Sequence, residues 1–165
     1  LALSEAMERA GIDHEVTAAI DQAIWTKFVL LAAFSGVTAL TRRPAAEIRD
    51  NAETRSLFED AATEVAAIAA ARGVRLPDDV VEQTVSTLDR LPPEMKASMC
   101  HDLERGGRLE LPWLSGAVVR FGRQHGVPTP VHRALNAALV VWQDGASPGG
   151  CRGGDLGKNL PAAKG

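Results

Sequence analysis

Residues 20–40 read IDQAIWTKFVLLAAFSGVTAL, and this stretch decides the fold. Apolar side chains recur at steps of three and four through Ile20, Ile24, Trp25, Phe28, Leu31 and Phe34, the period of a helix and not of a strand. A helix this apolar on most of its faces has to be wrapped by others, which predicts a helical bundle built around it. The spacing places its start at Asp13 and its end near Leu40. Ser35 and Gly36 inside it mark either a kink or a close approach of another backbone, because glycine costs about 1 kcal/mol relative to alanine in a helix interior.

The same period extends outward in both directions. Toward the N-terminus, Ser4 can cap a short helix that stops at Gly11. Toward the C-terminus, Pro44 opens a one-turn helix over Ala45 to Ile48, and Asn51 caps an alanine-rich helix from Ala52 to Arg72 that Gly73 closes. Pro77, Asp78 and Asp79 read as a first turn leading through Val80 and Leu88 to Pro92 and Pro93. Helices are then expected over Glu94–Glu104, over Leu109–Gln124 and, behind Thr129 and Pro130, over Val131–Gln143. The prediction is an all-α domain over residues 1–144 with a Gly-rich disordered tail over 145–165.

Composition narrows the function. The chain has 165 residues, 45% hydrophobic and 24% charged, enough to bury a core without disulfides or metal. Eighteen Lys and Arg face 21 Asp and Glu, for a net charge of -3, so neither nucleic acid nor an anionic membrane surface is indicated as a partner. The longest uninterrupted apolar run, Phe28 to Phe34, is too short to span a bilayer. Cys100 and Cys151 are far apart, which fits a reducing, cytoplasmic setting. The four histidines, His14, His101, His125 and His132, show no metal-ligand spacing, and Trp25, Trp113 and Trp142 are read as core residues. No G-x-G-x-x-G or Walker-type glycine loop occurs. A start at Leu1 instead of Met suggests a chain cut from something longer.

Two groups of residues carry chemistry. Lys27 has Ala23, Ile24, Leu30 and Leu31 as its helical neighbours, all apolar, so partial desolvation could tune its ammonium toward proton donation. A lysine that buries its methylenes and keeps its charge in water is the alternative. Ser98 and Asp102 lie one helical turn apart, and Glu110 follows the Gly106-Gly107 break. These carboxylates could fold over the same cleft and pair with Lys27, or they could cap and solvate a surface.

Trp25-Thr26-Lys27, Ala39-Leu40-Thr41, Ala97-Ser98-Met99-Cys100-His101-Asp102, Arg108-Leu109-Glu110, Gly116 and Gly126-Val127-Pro128-Thr129-Pro130 together resemble the C-terminal domain of the ketopantoate reductase (2-dehydropantoate 2-reductase) family. The resemblance covers about Ala10 to Asp144. It implies a bundle of about seven helices like the C-terminal domain of 6-phosphogluconate-dehydrogenase-like enzymes. It also implies an N-terminal Rossmann domain that carries NADPH, in cis or in trans and missing from this chain, and a 2-keto acid held between the two domains. By the same resemblance Lys27 is the general acid, Glu110 orients it, Ser98 contacts the substrate carboxylate, and Asp102 lies beside them. Family members carry asparagines at the positions of Leu31 and Ser35, so a more apolar 2-keto acid than ketopantoate is also expected. Further expectations are a place in pantothenate and coenzyme A biosynthesis, a homodimer, and inactivity of this chain alone. A non-catalytic helical dimerisation or partner-binding module is the rival reading.

Overall fold

The computed structural model describes residues 2–145, and the Gly-rich segment from residue 146 onward lies outside the described residues. Among them there are eight α-helices and no strand. In chain order they are α1 (Ala2–Arg9), α2 (Ile20–Thr41), α3 (Ala45–Asp50), α4 (Ala52–Ala71), α5 (Val80–Arg90), α6 (Ser98–Arg105), α7 (Ser115–His125) and α8 (Pro130–Leu139), with single 3₁₀ turns at Leu111–Trp113 and Val140–Trp142.

Helix α2 is the axis of the bundle. By length and apolarity it would pass for a membrane span, with a mean hydropathy of 1.6 in its most apolar window, but 56% of that window is buried inside the bundle. Val29, Ala32, Ala33 and Val37 are fully buried and pack with Ile48, Phe58, Val65, Ile68 and Leu88 from α3, α4 and α5. A second, smaller core joins Ala39 of α2 to Met99, Cys100 and Leu103 of α6 and to Leu109, Leu111 and Leu139. Gly36 resolves the choice offered by the sequence in favour of close approach. A Cβ there would lie 2.7 Å from Leu135 Cδ1 and 3.2 Å from Ser115 Oγ, so at this glycine α7 and α8 approach α2 closely.

Several helix limits differ from expectation. Helix α2 begins at Ile20 and not at Asp13, because residues 12–19 form a loop in which Thr17 Oγ1 accepts the Ala19 N–H. Ser4 lies within α1, where its hydroxyl meets His14 Nε2 at 2.6 Å in place of capping the helix. Helix α5 starts at Val80, after a turn over Pro77–Asp79. Residues 94–97 are not helical. The carbonyls of Pro93 and Met95 instead accept the N–H groups of Ala46 and Ala45, supplying partners to donors that the first turn of α3 leaves free. The helix expected over Leu109–Gln124 is broken at Leu114 (φ -105°, ψ -104°) into a 3₁₀ turn and α7. Trp25 is in the core, whereas Trp113 and Trp142 are surface residues.

Candidate functional site

Lys27 sits on the ridge of α2. Around a helix, Ile24 and Leu31 lie about 60° and about 40° to one side of it, and Leu30 and Ala23 about 60° and about 40° to the other. The side chain is exposed, not desolvated as the apolar neighbours had suggested. Ile24 and Leu31 are themselves 56% and 41% exposed, so no helix of the described residues covers this face. The opposite face of the helix is held in the core, where Val29, two residues on, is fully buried.

A hollow lies on each side of the ridge. On the Leu30 side a cleft of about 480 Å³ runs between α2, α5 and the loop before α2, with Lys27 in its wall beside Gln22, Thr26, Gln83 and Thr87. On the Ile24 side a groove of about 390 Å³ is walled by Ile24 and Phe28 of α2, Phe121 of α7 and the Trp113 ring. Trp113, in the turn that Glu110 opens, shares the wall of this groove with Ile24, three residues before Lys27 on α2. Glu110 opens that turn, its carbonyl accepting the N–H of Trp113 at 2.9 Å and of Leu114 at 3.2 Å, and its carboxylate side is exposed.

The other predicted residues fall into two places. Leu31 shares the Lys27 face, and Ser35, one turn further, is buried at 6% exposure. Ser98 is the exposed first residue of α6, and Asp102 is half-buried one turn on, its carbonyl accepting the Gly107 N–H at 2.7 Å. Helix α6 packs on the C-terminal half of α2, through Met99 and Leu103 against Ala39. Among the described residues, no hydrogen bond or ion pair joins Lys27 to Glu110, Asp102 or Ser98. Cys100 is buried, and burial pushes its thiol above the ordinary range, so it serves packing and not nucleophilic chemistry.

Sequence reading missed Gln22, Thr26, Gln83 and Thr87 in the cleft, and missed Trp113, Arg72 and Arg120 as groove residues. The hydroxyl and amide residues of α2 and α5 carried a legible signal, being polar at positions one turn apart. Trp113 carried none, because its exposure depends on the break at Leu114.

The model of the ketopantoate reductase PanE/ApbA C-terminal family matches residues 19–141. The chain is similar to the 2-dehydropantoate 2-reductase of Mycobacterium tuberculosis, at 34% identity over 123 residues that make up 74% of this chain and 41% of that protein. It is also similar to that of Pyrobaculum aerophilum, at 31% over 133 residues, 81% of this chain and 47% of that protein. Among solved structures it resembles the ketopantoate reductase of Ralstonia eutropha, with a TM-score of 0.79 and 30% identity over 86% of this chain and 47% of that one. It likewise resembles the dimeric ketopantoate reductase of Staphylococcus aureus, with a TM-score of 0.75 and 30% identity over 80% and 46%. The chain thus spans about half the length of the relatives it matches. With its all-helical bundle and matched residues, this chain belongs to the ketopantoate reductase C-terminal domain family.

Proposed function

We propose that this chain is the substrate-side domain of an NADPH-dependent, 2-dehydropantoate 2-reductase-like oxidoreductase, with Lys27 as the general acid. The observation that carries this reading is an exposed lysine fixed on the most deeply buried helix of the bundle, in the wall of one hollow and three residues from Ile24, which lines a second. Reduction of a ketone builds negative charge on the carbonyl oxygen. An ammonium held there lowers the barrier both by its charge and by transferring its proton. Glu110 would hold the ammonium toward the carbonyl, and the Ser98 hydroxyl would donate to the substrate carboxylate. Leu31, Ser35 and Asp102 would complete the wall.

The described residues do not fit a dinucleotide. A pyrophosphate cradle needs a glycine-rich turn that opens a helix. Here the positive-φ glycines Gly106 and Gly126 end helices. The proposal therefore assigns NADPH to a Rossmann domain, in cis or in trans, and expects this chain to be inactive by itself. Pantothenate biosynthesis, a cytoplasmic setting and a homodimer follow from the same reading.

The test is Lys27→Ala in the protein joined to its Rossmann half. Turnover of ketopantoate or another 2-keto acid is expected to fall by at least about 10², the lower end for general acid catalysis. An unchanged rate removes Lys27 from the mechanism. Isothermal titration of this chain with NADPH is expected to show no binding, and micromolar binding would contradict the assignment of the cofactor to another domain.

A further inference from the structure

The groove on the Ile24 side of Lys27 combines aromatic walls with unneutralised positive charge. The Arg72 guanidinium lies 5.5 Å from the Trp25 ring centroid and 4.9 Å from that of Phe121, and its Nη1 is 3.2 Å from His125 Nε2. Arg120 Nη1 donates to the Pro112 carbonyl at 2.9 Å. Neither arginine pairs with a carboxylate among the described residues. The groove therefore complements an anion with an apolar or aromatic body.

Trp113 is placed to close over such a body. Its ring is 72% exposed, yet the turn that carries it is held by the Arg120 bond to Pro112 and by the Trp113 N–H bond to Glu110. A large aromatic surface is thus presented to solvent on a fixed turn, in one wall with Phe28 and with Ile24, which lies three residues before Lys27 on α2. A small hydroxylated substituent would leave this surface wet, whereas an apolar one would remove it from water.

We propose that the groove receives the aromatic or branched apolar substituent of a 2-oxo acid whose carbonyl lies at Lys27, and that Trp113 and Ile24 set this substrate class. The inference rests on the reading of Lys27 as proton donor. It goes beyond that reading by naming the side of the ridge that the substrate occupies and the chemistry of the substituent.

The experiment compares kcat/KM for phenylglyoxylate and for pyruvate in the protein joined to its Rossmann half. Phenylglyoxylate is expected to be preferred by at least about tenfold, the gain from burying one ring against apolar walls, and Trp113→Ala is expected to lower that ratio by about tenfold. Equal kcat/KM values, or a ratio that Trp113→Ala does not move, would overturn the inference even if Lys27→Ala abolishes turnover. If neither acid is turned over, Lys27→Ala on ketopantoate turnover still tests the proton-donor reading, and binding decides the groove. Quenching of tryptophan fluorescence by phenylglyoxylate that disappears in Trp113→Phe sustains an aryl oxo-acid site. Absence of Trp113-dependent quenching refutes it. Dissociation of a dimer by Trp113→Arg, measured by sedimentation, would make the groove a contact between copies and also overturn the proposal.

Discussion

Glu64 of α4 caps a helix that begins 66 residues later in the chain: its Oε2 accepts the His132 N–H at 2.9 Å and its Oε1 the Val131 N–H at 2.6 Å. Thr129, which occupies the N-cap position of α8, makes no side-chain cap bond. A buried carboxylate from α4 thus replaces the local hydroxyl and ties the start of α8 to the centre of the bundle. Burial pushes the Glu64 carboxyl above the ordinary range, against the pull of the two N–H donors. Glu64→Ala leaves both donors without a partner in a largely buried place and is expected to cost about 1–3 kcal/mol, read as a lower midpoint in urea. Asn51→Ala provides the local comparison. Its Oδ1 caps α4 through Glu53 N at 3.0 Å and Thr54 N at 3.1 Å, and its loss is expected to cost about 1 kcal/mol.

His132 sets an acid limit to stability. Its Nε2 lies 3.1 Å from the Ala61 carbonyl, which can only accept, so Nε2 carries the proton and Nδ1 accepts from the Ser115 hydroxyl at 3.2 Å. Burial lowers its pKa to about 4 from the ordinary 6.5. A depressed folded-state pKa means that the unfolded chain binds the extra proton first. Stability from this group is therefore complete above about pH 6.5 and is lost as pH falls toward 4, by about 3 kcal/mol. Glu64, with its raised pKa, works in the opposite direction, its contribution diminishing as pH rises. Urea unfolding of the native protein and of His132→Asn between pH 7 and pH 4 separates the two. The slope is expected to flatten in the variant, and an equal slope in both would show that His132 does not cause it.

Gly122 and Gly36 are expected to respond differently to alanine. At Gly122 a Cβ would lie 2.8 Å from the Val127 backbone carbonyl and 2.7 Å from Thr129 Cγ2, so the chain reversal after α7 has to move. At Gly36 the nearest atom is the end of the Leu135 side chain. Alanine recovers about 1 kcal/mol of helix propensity at either site, while overpacking costs about 1–3 kcal/mol. Gly122→Ala is therefore expected to destabilise clearly, and Gly36→Ala to fall within about 1 kcal/mol of neutral by thermal unfolding.

Lys27→Ala is expected to leave folding stability within about 0.5 kcal/mol, because the side chain is exposed and makes no hydrogen bond or ion pair among the described residues. Thermal unfolding of this variant checks that any loss of turnover is chemical. A large fall in the unfolding temperature would make Lys27 a structural residue and remove its activity data as support for proton donation.

The periodicity of residues 20–40, the cap at Asn51 and the stops at Gly73, Gly106 and Gly126 were legible because each acts within four or five residues of itself, through helix geometry and local hydrogen bonds. The motifs around Lys27, Ser98 and Glu110 likewise placed the chain in its family. Tertiary structure alone decided which face of α2 stays uncovered, so that Lys27 is exposed and not desolvated, and which two tryptophans leave the core. It also decided that residues 94–97 complete the start of α3 in place of forming a helix, and that Glu64 caps α8. Those outcomes depend on which distant backbone donors remain unpaired once the helices pack, and no pattern confined to neighbouring residues encodes that.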